Sequence, residues 1–174
     1  MIRKTKLYGA TDCHKTNYYK LVLDEIAVPY EFLDVETNKD HAEELRGLYE
    51  NGKLNFPTIT IGKKKLRNPY KEDIMKWMNK MIPSRLQIVH EEENQCFTLN
   101  INGELATVDY ALKNEKMYLT HSEVPFNLRG QGVGKVLVEK TFEQLTADNY
   151  TAVAVCSYIK AIKNRSDYWK GIIE

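Results

Sequence analysis

Two rhythms of apolar and polar positions run along the chain. In the first half, short apolar or alternating runs are separated by stretches of helical period. The spacing predicts strand at 4–8, helix at 13–27, strand at 30–35 and helix at 40–49. Pro57-Thr58-Ile59-Thr60-Ile61 reads as a further strand, Gly62-Lys63 as a hairpin turn, 64–66 as a second strand, and 69–81 as a closing helix with Pro69 in its first turn. The order is βαβαββα. After Ile82-Pro83-Ser84 the pattern becomes a series of alternating strands at 86–91, 95–101, 105–112 and 117–124, broken at Asn102-Gly103 and Lys113-Asn114-Glu115. A Gly-rich turn, an amphipathic helix at 133–145, a strand at 151–156 and a helical segment from Tyr158 complete the chain. The expected fold class is therefore α/β (α+β) with two domains, 1–82 and 83–174. The second is expected to hold a mainly antiparallel sheet and two helices.

Composition narrows the function classes. Lys and Arg number 25 against 24 Asp and Glu, so the formal charge is +1 and no long-range field gathers nucleic acid or an anionic membrane. The run Lys63-Lys64-Lys65 is short and sits on the hairpin, where it reads as a solvated turn. No stretch reaches the ~20 apolar residues of a membrane-spanning helix. The basic start Met1-Ile2-Arg3-Lys4-Thr5-Lys6 runs into a strand pattern, unlike a signal peptide, and the expected location is the cytoplasm. The three cysteines, Cys13, Cys96 and Cys156, are far apart, which suits free thiols in a reducing compartment. No zinc spacing occurs, and no metal is expected.

Cys13 stands between the first strand and the first helix, with Thr11 and Asp12 as candidate caps. A thiol there feels the helix dipole and unpaired amides, both of which favour the thiolate. Thr16 can turn its hydroxyl toward the sulfur, and His14 and Lys15 add positive charge. The alternative is a small buried residue under a helix start. Asn55-Phe56-Pro57-Thr58-Ile59 places a proline at the mouth of a strand, a position compatible with a cis peptide. With Asn68-Pro69-Tyr70-Lys71 opening the last helix, this half resembles the glutaredoxin branch of the thioredoxin fold. The resemblance implies that Cys13 is a nucleophile and that Tyr8, Thr16, Phe56 and Pro57 lie around a bound thiol peptide such as glutathione. Cys13-His14-Lys15-Thr16 has no second cysteine, so exchange would be monothiol, with an external thiol resolving the mixed disulfide.

The second candidate site is Asn127-Leu128-Arg129-Gly130-Gln131-Gly132-Val133-Gly134, between a strand ending at Val124-Pro125 and the helix that begins with Lys135-Val136. Glycines let such a turn present consecutive N–H groups, and the helix start adds partial positive charge, which together cradle a pyrophosphate. A Gly-rich turn before a helix can equally be only structural. A Rossmann or Walker loop would need a parallel βαβ unit, and no Gly-Lys-Ser/Thr is present. Arg129-x-x-Gly132-x-Gly134 after an antiparallel sheet resembles the acetyl-CoA signature of the GNAT superfamily of N-acetyltransferases. His121-Ser122-Glu123-Val124-Pro125, Cys156-Ser157-Tyr158 and the tail Asn164-Arg165-Ser166-Asp167-Tyr168-Trp169 are similar to motifs of a compact subgroup lacking the usual N-terminal helices.

That resemblance implies acetyl-CoA held by Val124, Arg129, Gly130, Gln131, Gly132, Val133, Gly134 and Lys135, with backbone amides of a splayed strand pair polarising the thioester. His121 is the candidate base toward an amine, or a satisfied histidine on a sheet face. Glu123 is the alternative base. Cys156 is a candidate nucleophile, an acid toward departing coenzyme A, or a buried strand residue, and Tyr158 could donate to the departing sulfur. Cys96 reads as packing. The expected activity is acetyl-CoA-dependent N-acetyl transfer to a small-molecule or protein amine. The alternatives are glutathione-dependent thiol-disulfide exchange with a non-catalytic coenzyme A-binding domain, and a coenzyme A sensor without catalysis.

Overall fold

The computed structural model describes residues 4–174, so the expectation placed on Met1, Ile2 and Arg3 lies outside the described residues. The chain divides into two compact units, Met1–Ile82 and Pro83–Glu174. Both are mixed α/β, as the pattern predicts.

The first unit runs β1 (Thr5–Gly9), α1 (His14–Glu25), β2 (Tyr30–Asp34), α2 (Lys39–Gly47), β3 (Thr58–Ile61), β4 (Lys64–Arg67) and α3 (Lys71–Met81). The strand order is β2-β1-β3-β4, with β1 parallel to β2 and antiparallel to β3, and β3 antiparallel to β4. The central strands are covered on both faces, so β3 reads Thr-Ile-Thr-Ile with every residue buried. On one face Leu7, Leu23, Ile59, Ile61, Ile74 and Met78 form a core with α1 and α3. On the other, Tyr8, Leu33, Val35 and Ala42 pack with Leu45 of α2. Each fully buried aliphatic side chain stabilises by roughly 1.5–3 kcal/mol. Helix α2 starts sharply because the Asn38 side chain accepts from the amides of Asp40 and His41, with Asp40 in the first turn and Arg46 in the last.

The second unit holds β5 (Ile88–Glu91), β6 (Cys96–Ile101), β7 (Glu104–Lys113), β8 (Lys116–Glu123), α4 (Val133–Ala147), β9 (Thr151–Ala154), α5 (Ser157–Lys163) and α6 (Asp167–Ile172). Short 3₁₀ turns lie at Pro83–Arg85 and Phe126–Leu128. The sheet order is β5-β6-β7-β8-β9, antiparallel as far as β8, with β9 parallel to β8. Helix α4 lays Val136, Leu137 and Phe142 on the face that presents Phe97, Val108 and Leu119. Three helices occupy this unit instead of the expected two: the Ser166 hydroxyl accepts from the Trp169 amide and starts α6. Trp169 then packs on Phe142 at 5.3 Å between ring centres. The chain end closes against β9, where Ala154 donates to the Glu174 carbonyl and Glu174 to that of Ala152, each at 2.9 Å.

Two irregularities in this sheet prepare the site. Between Asp109↔His121 and Tyr110↔Leu119 the register of β7 and β8 slips, leaving Thr120 as an extra residue in β8. Ladder β8–β9 stops at Leu119↔Ala154, and both Val155 and Cys156 donate to the Leu119 carbonyl at 3.0 Å. Beyond that point the two strands part. Among the described residues no helix is long and apolar enough to cross a membrane.

Candidate functional site

At the C-terminal end of β1, Cys13 is itself the residue that caps α1, with extended backbone and no side-chain cap bond. Thr11, one of the expected caps, instead donates its hydroxyl to Asp34 at 2.6 Å and its amide to the same oxygen at 3.1 Å. Asp34 also accepts from the amides of Glu36 and Thr37, and these bonds hold its carboxyl well below the usual carboxylate range. The turn before Cys13 is thereby tied to the end of β2.

Thr16 is fully buried and lies so close to Gly9 that a Cβ there would meet its Cγ2 and Oγ1 at 2.4 Å. Its hydroxyl accepts from the Ala10 amide at 3.2 Å. The Thr16 amide and hydroxyl lower the Cys13 thiol, aided by the Lys15 amide and opposed by burial and Glu36. Lys15 thus acts through its backbone, and amides and a hydroxyl, more than neighbouring side-chain charge, activate this sulfur.

The Phe56–Pro57 peptide is cis, and Pro57 directly precedes β3. Because Tyr8 pairs with Thr58, Pro57 lies at the same sheet end as the Cys13 turn. Phe56 is half-buried against the Leu45 cluster. Tyr8 departs from its expected place. Its ring is in the core, its hydroxyl donates to Glu44 at 2.7 Å, and burial is the largest cause pushing its phenol up. Strand parity aims it under α2, away from any ligand at Cys13.

In the second unit, Gly130 and Gly132 take positive φ of 76° and 75°, which only glycine adopts freely, and Gly132 caps the 15-residue α4. The side chains around them brace the loop. The Gln131 amide donates to the Asn127 carbonyl at 2.7 Å, and Arg129 Nε donates to the Val124 carbonyl at 2.9 Å. Val133 is buried, so it offers an incoming anion its backbone alone, while the Lys135 side chain is exposed. A Cβ on Gly134 would meet the Tyr158 hydroxyl at 3.0 Å and Val124 Cγ2 at 3.1 Å. Tyr158 and Val124 therefore flank the start of α4, and burial is the largest cause raising the Tyr158 phenol.

Cys156 caps α5 where β9 leaves the sheet. Its sulfur lies 3.6 Å from Ser122 Oγ. Burial pushes this thiol up. The amides of Ile159, Tyr158 and Ser122, with the Ser122 hydroxyl, outweigh burial and hold it below the ordinary value. His121 does not join it. The extra residue Thr120 reverses the facing of the remaining positions of β8. Ser122 pairs with Val108, which is fully buried on the α4 side, whereas His121 pairs with Asp109 and is exposed on the other face. Glu123 shares the His121 face. Cys96 is buried and its thiol is pushed up, as a packing residue requires. Ser122 and Asp109 had no role assigned from sequence, since the bulge that places them has no signature of its own.

The Gly-rich loop thus caps α4 beside a strand pair that parts at Leu119. Residues 96–172 of the chain match the family model described as GCN5-related N-acetyl-transferase. Protein NATD1 of Gallus gallus is 28% identical over 78 residues, spanning 43% of this chain and 71% of NATD1. A solved glutaredoxin from Archaeoglobus fulgidus superposes with a TM-score of 0.37 at 15% identity, covering 47% of this chain and 87% of that one.

Proposed function

We propose that this protein is an acetyl-CoA-dependent N-acetyltransferase, acting on an amine of a small molecule or protein, with a monothiol redox unit attached. The observation that carries the reading is the parting of β8 and β9 beside the Gly130–Gly134 turn. It leaves the β9-facing edge of β8 without a strand partner beyond Leu119, so a backbone amide there, other than that of Ser122, can polarise a thioester carbonyl. The pyrophosphate of coenzyme A would rest on the amides of the turn at the positive end of α4, with Lys135 at its rim.

A lowered thiol is present more often as the thiolate, which is the nucleophilic form and has no proton to give a departing group, and this favours covalent transfer through Cys156. The sulfur attacks the acetyl carbon, the bond to the coenzyme A sulfur breaks, and that sulfur leaves as a thiolate beside Tyr158. A neutral amine then attacks the acetyl-cysteine, its proton passes to water, and the Cys156 thiolate is restored.

Calorimetric titration with acetyl-CoA tests the reading. The natural chain should bind, and Lys135→Glu should weaken binding by about tenfold or more. Lys135 is the better probe because any side chain at Gly130 or Gly132 would strain the turn itself. No binding by the folded natural chain would overturn the assignment.

The lowered Cys13 thiol at the head of α1 favours a second activity. The thiolate attacks one sulfur of a disulfide, the S–S bond breaks, and the other half leaves as a thiolate. An external thiol such as glutathione then cleaves the mixed disulfide. Such chemistry belongs in a reducing compartment, the cytoplasm. Reduction of a small disulfide by glutathione should be accelerated by the natural chain and not by Cys13→Ser; equal rates would remove this reading.

A further inference from the structure

The Cys156 sulfur lies 3.6 Å from a hydroxyl brought to it from β8, that of Ser122. Three features converge on that contact. The bulge at Thr120 turns Ser122 to the α4 face, where ordinary alternation from the buried Met117 and Leu119 would have placed His121. The end of the β8–β9 ladder at Leu119 then leaves the Ser122 amide without a strand partner on that edge, so it is directed to the sulfur. Finally, Val155 and Cys156 both hang on the Leu119 carbonyl, which fixes the start of α5 three residues from Ser122 along β8.

We infer that Ser122 is a positioning residue of the acetyl-transfer site: its hydroxyl and amide hold the Cys156 sulfur in the gap between β8 and β9, aimed at an incoming thioester. This rests on the reading of Cys156 as the acetyl-accepting thiol. The geometry gives the serine one further task. When the sulfur is a thiolate, the Ser122 hydroxyl donates to it. When the sulfur carries an acetyl group its negative charge is gone, and the same hydroxyl is free to rotate away. The serine therefore favours the form that attacks. The titratable side chains on the adjoining segments are Tyr158, Lys160 and Lys163 on α5, Lys135 and Glu139 at the start of α4, and His121 and Glu123 on the far face of β8. None of them replaces the hydroxyl: the influences that lower the thiol are all hydrogen bonds, two of them from Ser122.

The test is the pH dependence of Cys156 alkylation by iodoacetamide, read by mass spectrometry in a Cys13→Ser background. Ser122→Ala should move the midpoint of the profile upward by about half a unit to one unit, the worth of one hydrogen bond to a charged group partly compensated by water. Ser122→Thr should restore the original midpoint. Ser122→Val, which matches threonine in shape but lacks the hydroxyl, should behave like alanine. Coincident profiles for all four proteins would overturn the inference, as would a threonine variant that resembles valine. Protection of Cys156 by acetyl-CoA is read in the same experiment. If the thiol is unprotected while the Ser122 series shifts as stated, the acetyltransferase assignment fails and the serine–cysteine pairing stands.

Discussion

At the scale of single residues, hydrogen bonds hold both the Cys13 and the Cys156 thiol below the ordinary value. Cys13 relies on Thr16, whose hydroxyl lies between the Ala10 amide and the sulfur in space left open by Gly9. Thr16→Val keeps the shape and removes the hydroxyl, so the alkylation profile of Cys13 should move to higher pH, and the buried Ala10 amide left unpaired should cost about 1–3 kcal/mol; an unmoved profile would show that the amides suffice. Gly9→Ala is the harsher change. A methyl 2.4 Å from Thr16 in a fully buried site must displace it, and about 1–3 kcal/mol of stability should be lost in urea unfolding. Asp34 supplies the tether behind this turn. Its folded-state pKa is depressed, so its contribution is present above the ordinary carboxylate range and is lost as pH falls through the folded value. Asp34→Ala should cost roughly 1–3 kcal/mol at neutral pH. The gap to the natural chain should narrow in unfolding curves taken below about pH 4.

At the scale of elements, α4 does two things at once. Its N-terminus faces the Gly-rich turn, and Val136, Leu137 and Phe142 anchor it to the sheet. Phe142 is fully buried and touches Trp169 of α6, so Phe142→Ala should destabilise the second unit by about 3–5 kcal/mol. Near-ultraviolet circular dichroism of the tryptophan band during thermal unfolding would read this loss. Strand β8 shows the opposite economy, because a single extra residue, Thr120, decides which of two adjacent side chains meets Cys156. The Thr120 hydroxyl donates to the Asp109 carbonyl at 3.3 Å, across the same bulge.

At the scale of the whole molecule, the two chemistries sit on different units, each with its own core. Cys13→Ser should therefore leave acetyl-CoA affinity unchanged, and Cys156→Ala should leave disulfide reduction unchanged. Titration and a coupled reductase assay on the two variants check this. A change of either activity by the variant in the other unit would reveal coupling between them.

The sequence alone determined what depends on short-range pattern. Alternation and helical period located the strands and long helices, because burying one face of an element leaves its period in the chain. The Gly-rich turn and the residue at the head of α1 were legible because glycine at positive φ and a thiol before a helix are local facts. The tertiary structure decided what depends on register. Tyr8 looks like a ligand contact beside Cys13 until strand parity sends its ring into the core against Glu44. His121 looks like the partner of Cys156 until one unpaired residue in β8 hands that place to Ser122. Helix α6 escapes the pattern because two turns are too short to carry a period, and its stability comes from the Ser166 cap and the seat of Trp169 on Phe142. The chain's pattern sets which residues are present near a site. Which of them face one another depends on pairing between strands distant in sequence, where a slip of one residue exchanges the two faces.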